Sequence, residues 1–193
     1  MSQLNVNKIT GTTGTTSGAP ITISGDTATL GTGTTIASGV TGTLGSGVTF
    51  PAGHIINVTD DIYTAEPATN NTSFEVIDAS NFAVTVSPAS ESSTFFIIVF
   101  LSGVDAGDWA QFDIYRAIGA GTTSQLSGQT NGLAGVYTAL VNDSHVTYTY
   151  LDSPSTETDI TYAPSAKSTH TSHNWNINDS GYSSRITVFE IAG

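Results

Sequence analysis

The chain has 193 residues, of which only 10% are charged, with 16 acids against 4 bases, and none is cysteine. Without cysteine there is no disulfide framework, thiolate metal site or cysteine nucleophile, and a formal charge of −12 with four scattered bases cannot neutralise a run of phosphates, so nucleic acid is not an expected partner. The charged fraction is well under half the roughly 25% of an ordinary globular domain, yet 17 aromatic residues can furnish a core.

The opening MSQLNVNKIT lacks the basic and apolar regions of a secretory leader, so no export signal is expected. Residues 1–19 place Leu4, Val6 and Ile9 among polar neighbours and then dissolve into Gly and Thr. Their apolar area is too small to offset a backbone ordering cost of roughly 1–2 kcal/mol per residue, which predicts an N-terminal anchor ordered by docking on a partner. Over residues 20–52, single aliphatic residues (Ile21, Ile23, Leu30, Ile36, Val40, Leu44, Val48) recur between Gly, Thr and Ser. A single copy cannot bury such sparse side chains, whereas several copies wound about one axis can. The excess of β-branched Thr, Val and Ile favours an intertwined β stalk; a flexible linker is the alternative. Collagen is excluded, because Gly at every third position lapses after two or three triplets and neither run contains proline.

From residue 53 to 193 the pattern is that of a conventional domain. Strands are predicted at 54–63, 74–77, 82–86, 93–101, 109–118, 133–141, 146–151, 159–162 and 185–191, with turns at Asn131-Gly132, Asn142-Asp143 and Ser153-Pro154 and no helical apolar stripe. This is an all-β fold: an antiparallel β-sandwich head of jelly-roll type. Residues 95–101 form the longest apolar run, seven residues, too short for the roughly 20 of a membrane-spanning helix, so no membrane insertion is expected. That run and 185–191 are apolar on both faces and must be covered on both, within the sandwich or by a neighbouring copy.

The opening MSQLNVNKI, then SGAPITISGDTATL, GVTFPAGHIINV, FDIYRAIG, YLDSPST and the closing ITVFEIAG, in that order, resemble the fibre and appendage proteins of tailed phages, particularly those of marine cyanobacterial and related hosts. The resemblance implies a homotrimeric virion structural protein exposed on the particle, with an N-terminus that plugs into another virion protein and a head that attaches to a host-surface glycan or protein. It leaves a tail fibre and a capsid decoration or head fibre both open, and it implies no catalytic motif and no cofactor.

The residues agree with a non-enzyme. No G-x-S-x-G, Walker A or H-E-x-x-H occurs, and the acidic pairs (Asp60 with Asp61, Asp105 with Asp108, Glu157 with Asp159) lie at strand edges or in predicted turns, where Asp also caps and solvates. His170-Thr-Ser-His173 has imidazoles, but three positions apart on a strand they face opposite sides, so no metal is expected. Arg116 falls on the apolar face of its strand with Phe112, Ile114 and Ile118, and a guanidinium there needs a buried carboxylate, a structural ion pair. The expected receptor contacts are Trp175, Tyr182, His170 and His173 in the polar, turn-rich stretch 165–184, together with Trp109, since such surfaces mix rigid aromatics with adaptable hydrogen-bonding groups.

Overall fold

A computed structural model describes residues 50–137 and 144–193 in full, and the backbone of three short strands earlier in the chain. The polypeptide divides into two units, Met1–Val48 and Thr49–Gly193. In the first, β1 (Lys8–Ile9), β2 (Ile21–Ser24) and β3 (Thr27–Leu30) pair antiparallel within one chain, in that order. Ile9 stands opposite Ile21, and Ile21 opposite Leu30. Leu4 and Val6 of the expected anchor, and residues 31–49 of the expected stalk, lie outside the described residues.

The second unit contains β4 (Ile55–Tyr63), β5 (Ala68–Thr69), β6 (Glu75–Val76), β7 (Val84–Val86), β8 (Thr94–Val104), β9 (Trp109–Ile118), β10 (Ser124–Gln125), β11 (Ala134–Tyr137), β12 (Ser144–Asp152), β13 (Ile160–Ser168), β14 (Trp175–Asn176) and β15 (Ser184–Ile191). Alternation drives the assembly: in β8, Phe95, Ile97, Val99 and Leu101 are fully buried while Phe96, Ile98 and Phe100 point the other way. One sheet runs β12-β8-β15-β4. The other places β13 beside β9, flanks β9 with β10 and β11, and flanks β13 with β6 and β7. Along the chain the strands β4, β6 to β13 and β15 pass between the sheets in the sequence first, second, second, first, second, second, second, first, second, first, while β5 and β14 pair with each other apart from both; this is a two-sheet, jelly-roll-like arrangement. Between the sheets lie the β8 side chains, Ile186 and Val188 of the first sheet, and Phe112, Ile114, Ile160 and Tyr162 of the second.

The predicted strand at 159–162 in fact continues to Ser168, straight through Pro164. Proline is tolerated because of where its missing N–H points. The Pro164 carbonyl accepts from Ile77 N at 2.9 Å, so the absent donor faces the same flank, where β7 (opposite 160–162) gives way to β6 (opposite 165–166). The strand predicted at 133–141 is β11; residues 138–143 lie outside the described ones.

The sandwich has two distinct ends. At one, the polypeptide enters through Phe50 and Gly53 N donates to Ala192 O at 2.7 Å, beside the loops 87–93, 119–123 and 153–159. At the other lie the 105–108 connection and residues 169–183. Asn178 ties this second end together: its φ of 60° is one that asparagine tolerates, its Nδ2 donates to the carbonyls of Tyr63 and Ala65 at 2.9 Å, and its Oδ1 accepts from Ser184 Oγ at 2.6 Å.

The two outer faces differ. The middle of the second sheet's outer face is clothed by its own chain: Tyr115 Oη donates to Phe74 O at 2.9 Å, and outward-facing Lys167 lies 4.8 Å over the Phe74 ring and donates to the Thr130 carbonyl. Over the first sheet, register aligns Leu151, Phe96, Phe189 and Val58 in one row across four strands, with Phe100 beside Arg185 and Ile62 in another. Phe96 and Phe189 are half-buried, while Leu151, Val58, Phe100 and Ile62 are exposed. Coverage of both faces, expected from the two doubly apolar strands, is therefore not supplied by the described residues of this chain.

Candidate functional site

Trp109 opens β9 at the end opposite the chain entry, and antiparallel register sets Tyr137 of β11 directly across from it. The rings lie 5.5 Å apart, tilted by 43°, and are 47% and 50% exposed. Two large amphipathic side chains this open to water are not core residues. Gln111 follows on the same outward face, opposite Gly135. A Cβ at Gly135 would stand 3.7 Å from both Gln111 Cγ and Trp109 Cε3, so glycine keeps the floor between them clear.

The far wall is the Asn131-Gly132 turn. Gly132 has φ +71°, and its N–H donates to Gln129 O at 3.1 Å, while Leu133 N donates to Phe112 O at 2.8 Å. Thr169 closes the near side, its N–H donating to Trp109 O at 3.1 Å. Trp109, Gln111, Asn131, Gly132, Leu133, Ala134, Gly135 and Thr169 line a cleft of about 490 Å³, and Tyr137 stands beside its Trp109 wall. Its lining holds no carboxylate, imidazole, ammonium or guanidinium. Lys167 of β13, registered opposite Gln111, is engaged with the Thr130 carbonyl at 2.5 Å and the Phe74 ring. An aromatic wall, two carboxamides, a hydroxyl and exposed backbone can grip a ligand that has an apolar face and a polar rim.

Of the sequence-predicted contacts, Trp109, His170 and His173 come together at this end. A turn in which His173 N donates to His170 O at 3.3 Å brings the two imidazoles to 6.1 Å, edge to face, where an extended strand would have separated them. His170 Nε2 lies 3.2 Å from Asp108 Oδ2, and His173 packs over Gly107. Among the described residues no group of three or more His, Asp or Glu is placed to hold a metal ion. Tyr182, 40% exposed, lies elsewhere: it covers Gly103 of β8 and meets His145 edge-on at 5.3 Å, next to Phe100 of the first sheet.

Trp175 corrects the sequence reading. It is 2% exposed, paired in β14 with β5 and edge-on to Phe112 at 6.4 Å, so its ring is core rather than surface. Much of 165–184 is structural in the same way, with Ser168, Ile177, Asn178 and Ser184 all buried. Among the described residues the indole N–H of Trp175 has no hydrogen-bond partner.

Arg116 finds its carboxylate in Asp152: Nη1 lies 2.8 Å from Oδ1 and 3.0 Å from Oδ2, and Tyr162 Oη donates to Oδ2 at 2.8 Å. Burial drives the Tyr162 phenol far up from its ordinary value, the hydrogen bond to Asp152 and the Asp152 charge add to this, and Arg116 opposes it.

Sequence reasoning missed Tyr137, Gln111, Asn131 and Thr169. The period-two alternation of β11 carried the signal for Tyr137, since Ala134 and Val136 turn inward and Gly135 and Tyr137 outward. The pairing with Trp109 is a cross-strand relation that one strand's pattern does not contain.

No family model matches this chain, and no curated protein matches it. Among solved structures it is similar to a chain from the structure of the infectious bursal disease virus Gx strain, at 11% identity and a TM-score of 0.40, over 80% of this chain and 38% of that one.

Proposed function

We propose that this protein is a virion structural protein, a homotrimeric fibre or short appendage of a tailed phage, whose jelly-roll head attaches to an uncharged saccharide on the host surface through the cleft at Trp109, with Tyr137 beside it. The observation that carries the reading is this pair of exposed, facing aromatic rings above a neutral cleft at the end opposite the chain entry. A pyranose ring has an apolar C–H face that stacks on indole or phenol and a hydroxyl rim that suits Gln111, Asn131 and Thr169. An anionic sugar would gain no free cation in the lining and would approach a chain of charge −12. The protein works by binding, without a catalytic step or cofactor, and its N-terminal segment joins it to another virion protein. The virion part of the reading is supported by the ordered sequence resemblance to phage fibre proteins.

The test is a panel of neutral and anionic oligosaccharides titrated against the full chain, with Trp109→Ala and Tyr137→Ala as variants. Neutral ligands should bind, and each variant should weaken binding at least tenfold. Absence of binding to any saccharide, or wild-type binding by both variants, overturns the cleft assignment. Antibody labelling of particles in the electron microscope tests the virion role separately: label on the tail supports the fibre, label on the capsid favours a decoration protein, and unlabelled particles refute both.

A further inference from the structure

We infer that the outer face of the β12-β8-β15-β4 sheet is an interface between copies of this chain. The inference goes beyond the saccharide reading, in which the cleft would work equally well on a monomer, and it assigns the surface through which copies meet.

Extent is the first argument. Leu151, Val58, Ile62 and Phe100 are exposed by 60, 52, 50 and 38%, and Phe96 and Phe189 lie half-buried between them with rings 6.3 Å apart. Ile55 extends the patch past the end of the row. With roughly 150–250 Å² on a large side chain, these exposures amount to on the order of 500 Å² of contiguous apolar surface, at the upper end of what a soluble monomer leaves open and more than half of the roughly 800 Å² each partner contributes to a stable complex. On the second sheet's outer face, by contrast, Phe74 and the 126–133 segment meet Lys167 over the middle, and the large exposed side chains are those at the cleft, Trp109 and Tyr137.

Charge identifies the occupant. Copies carrying −12 each repel wherever their acids face one another. Along the outward positions of these four strands the charged residues are Asp60 and Arg185, and they neutralise each other at 3.4 Å. Thr147, Thr149 and Thr187 add uncharged side chains to the face, and the His145 imidazole stacks on the Phe100 ring at 5.9 Å. This surface has no net charge to repel a second acidic copy and none to attract a basic partner, whereas an identical apolar face matches it in chemistry.

The experiment uses the full chain and a Leu151→Lys/Ile62→Lys variant, both positions being open enough for lysine in a single copy. Sedimentation velocity at micromolar concentration should give wild type a mass of two or three chains. The variant, which would bury unpaired ammonium groups at the contact, should self-associate about a hundredfold more weakly or worse and run as a single chain. A monomeric wild type, or a variant with wild-type mass, overturns the inference. Hydroxyl-radical footprinting of wild type does not depend on the variant folding: Phe96, Phe100 and Leu151 should be protected in concentrated protein and oxidised on dilution, and labelling that is independent of concentration overturns it. Failure here is distinguishable from failure of the saccharide reading, because the lysine variant should keep the wild-type per-site affinity for a neutral oligosaccharide, while Trp109→Ala should lose that affinity and keep the wild-type mass.

Discussion

Arg116 of β9 and Asp152 of β12 stand in different sheets, and the guanidinium Nη1 reaches both carboxylate oxygens across the sandwich, at 2.8 and 3.0 Å. Tyr162, in β13, completes a clasp on three strands. Removing one member strands the others in a largely dry setting, with the Asp152 side chain 8% and that of Arg116 25% exposed. Breaking a fully buried pair costs about 3–5 kcal/mol, so this partly open one should cost about 2 kcal/mol. Arg116→Met is expected to lower the melting temperature by about 4–8 °C and to leave saccharide binding at the cleft intact. An unchanged melting temperature with lost binding would make Arg116 a ligand contact.

The two tryptophans should separate cleanly in solution. Trp175→Ala removes a buried ring and is expected to cost about 3–5 kcal/mol, whereas Trp109→Ala, at a half-exposed position, should leave the melting temperature within about 2 °C. Trp175→Phe protein, emitting from Trp109 alone, should show red-shifted fluorescence readily quenched by acrylamide. Trp109→Phe protein should emit further to the blue and resist quenching. Equal quenching of the two would refute the assignment of core and surface.

Gly132 shapes the cleft wall from a backbone conformation that side chains avoid, φ +71°. A Cβ there would lie inside contact distance of the Phe112 carbonyl and 2.7 Å from Phe74 Cζ. Gly132→Ala is expected to lose about 1–3 kcal/mol from strain alone and to weaken saccharide binding, because the turn that carries Asn131 must shift. Calorimetry and titration on the same variant check both.

Alkaline pH should unfold the protein through its tyrosines. Burial raises Tyr148 well above the usual 10.0 and raises Tyr162 with help from Asp152; Tyr63 and Tyr115 rise through burial and then the charges of Asp78 and of Asp113 and Glu75. The folded chain therefore keeps protons that the unfolded chain begins to release near pH 10. The stability this supplies is fully present below that pH and is lost as pH climbs above it. Melting temperature should fall steeply above pH 10, and less steeply in Tyr162→Phe. A flat profile to pH 11 would contradict the burial of these phenols.

The strands of the sandwich were legible where alternation and burial coincide. Residues 95–101 and 185–191 announce themselves because every second side chain is large and aliphatic or aromatic. Pro164 hid half of β13, since local chemistry argues against a proline in an interior strand and only the change of neighbour from β7 to β6 makes room for it. Trp175 was misread for the opposite reason: its sequence neighbours are polar, but Asn178 and Ser184 spend their polarity on backbone carbonyls and on each other, which closes the core over the indole. The Arg116 requirement could be stated from one strand, but its answer, Asp152, lies 36 residues away in the other sheet.

The terminal strands β4 and β15 lie side by side, paired over eight positions, and β4 begins at the end of the sandwich away from the cleft. A pull between the chain entry and a ligand held at Trp109 therefore acts along the axis of β4. Its ladder with β15 is loaded in shear, all bonds sharing the tension at once, rather than peeled open one at a time. This topology thus gives the domain a mechanical grain, stiffest along β4, between the chain entry and the cleft.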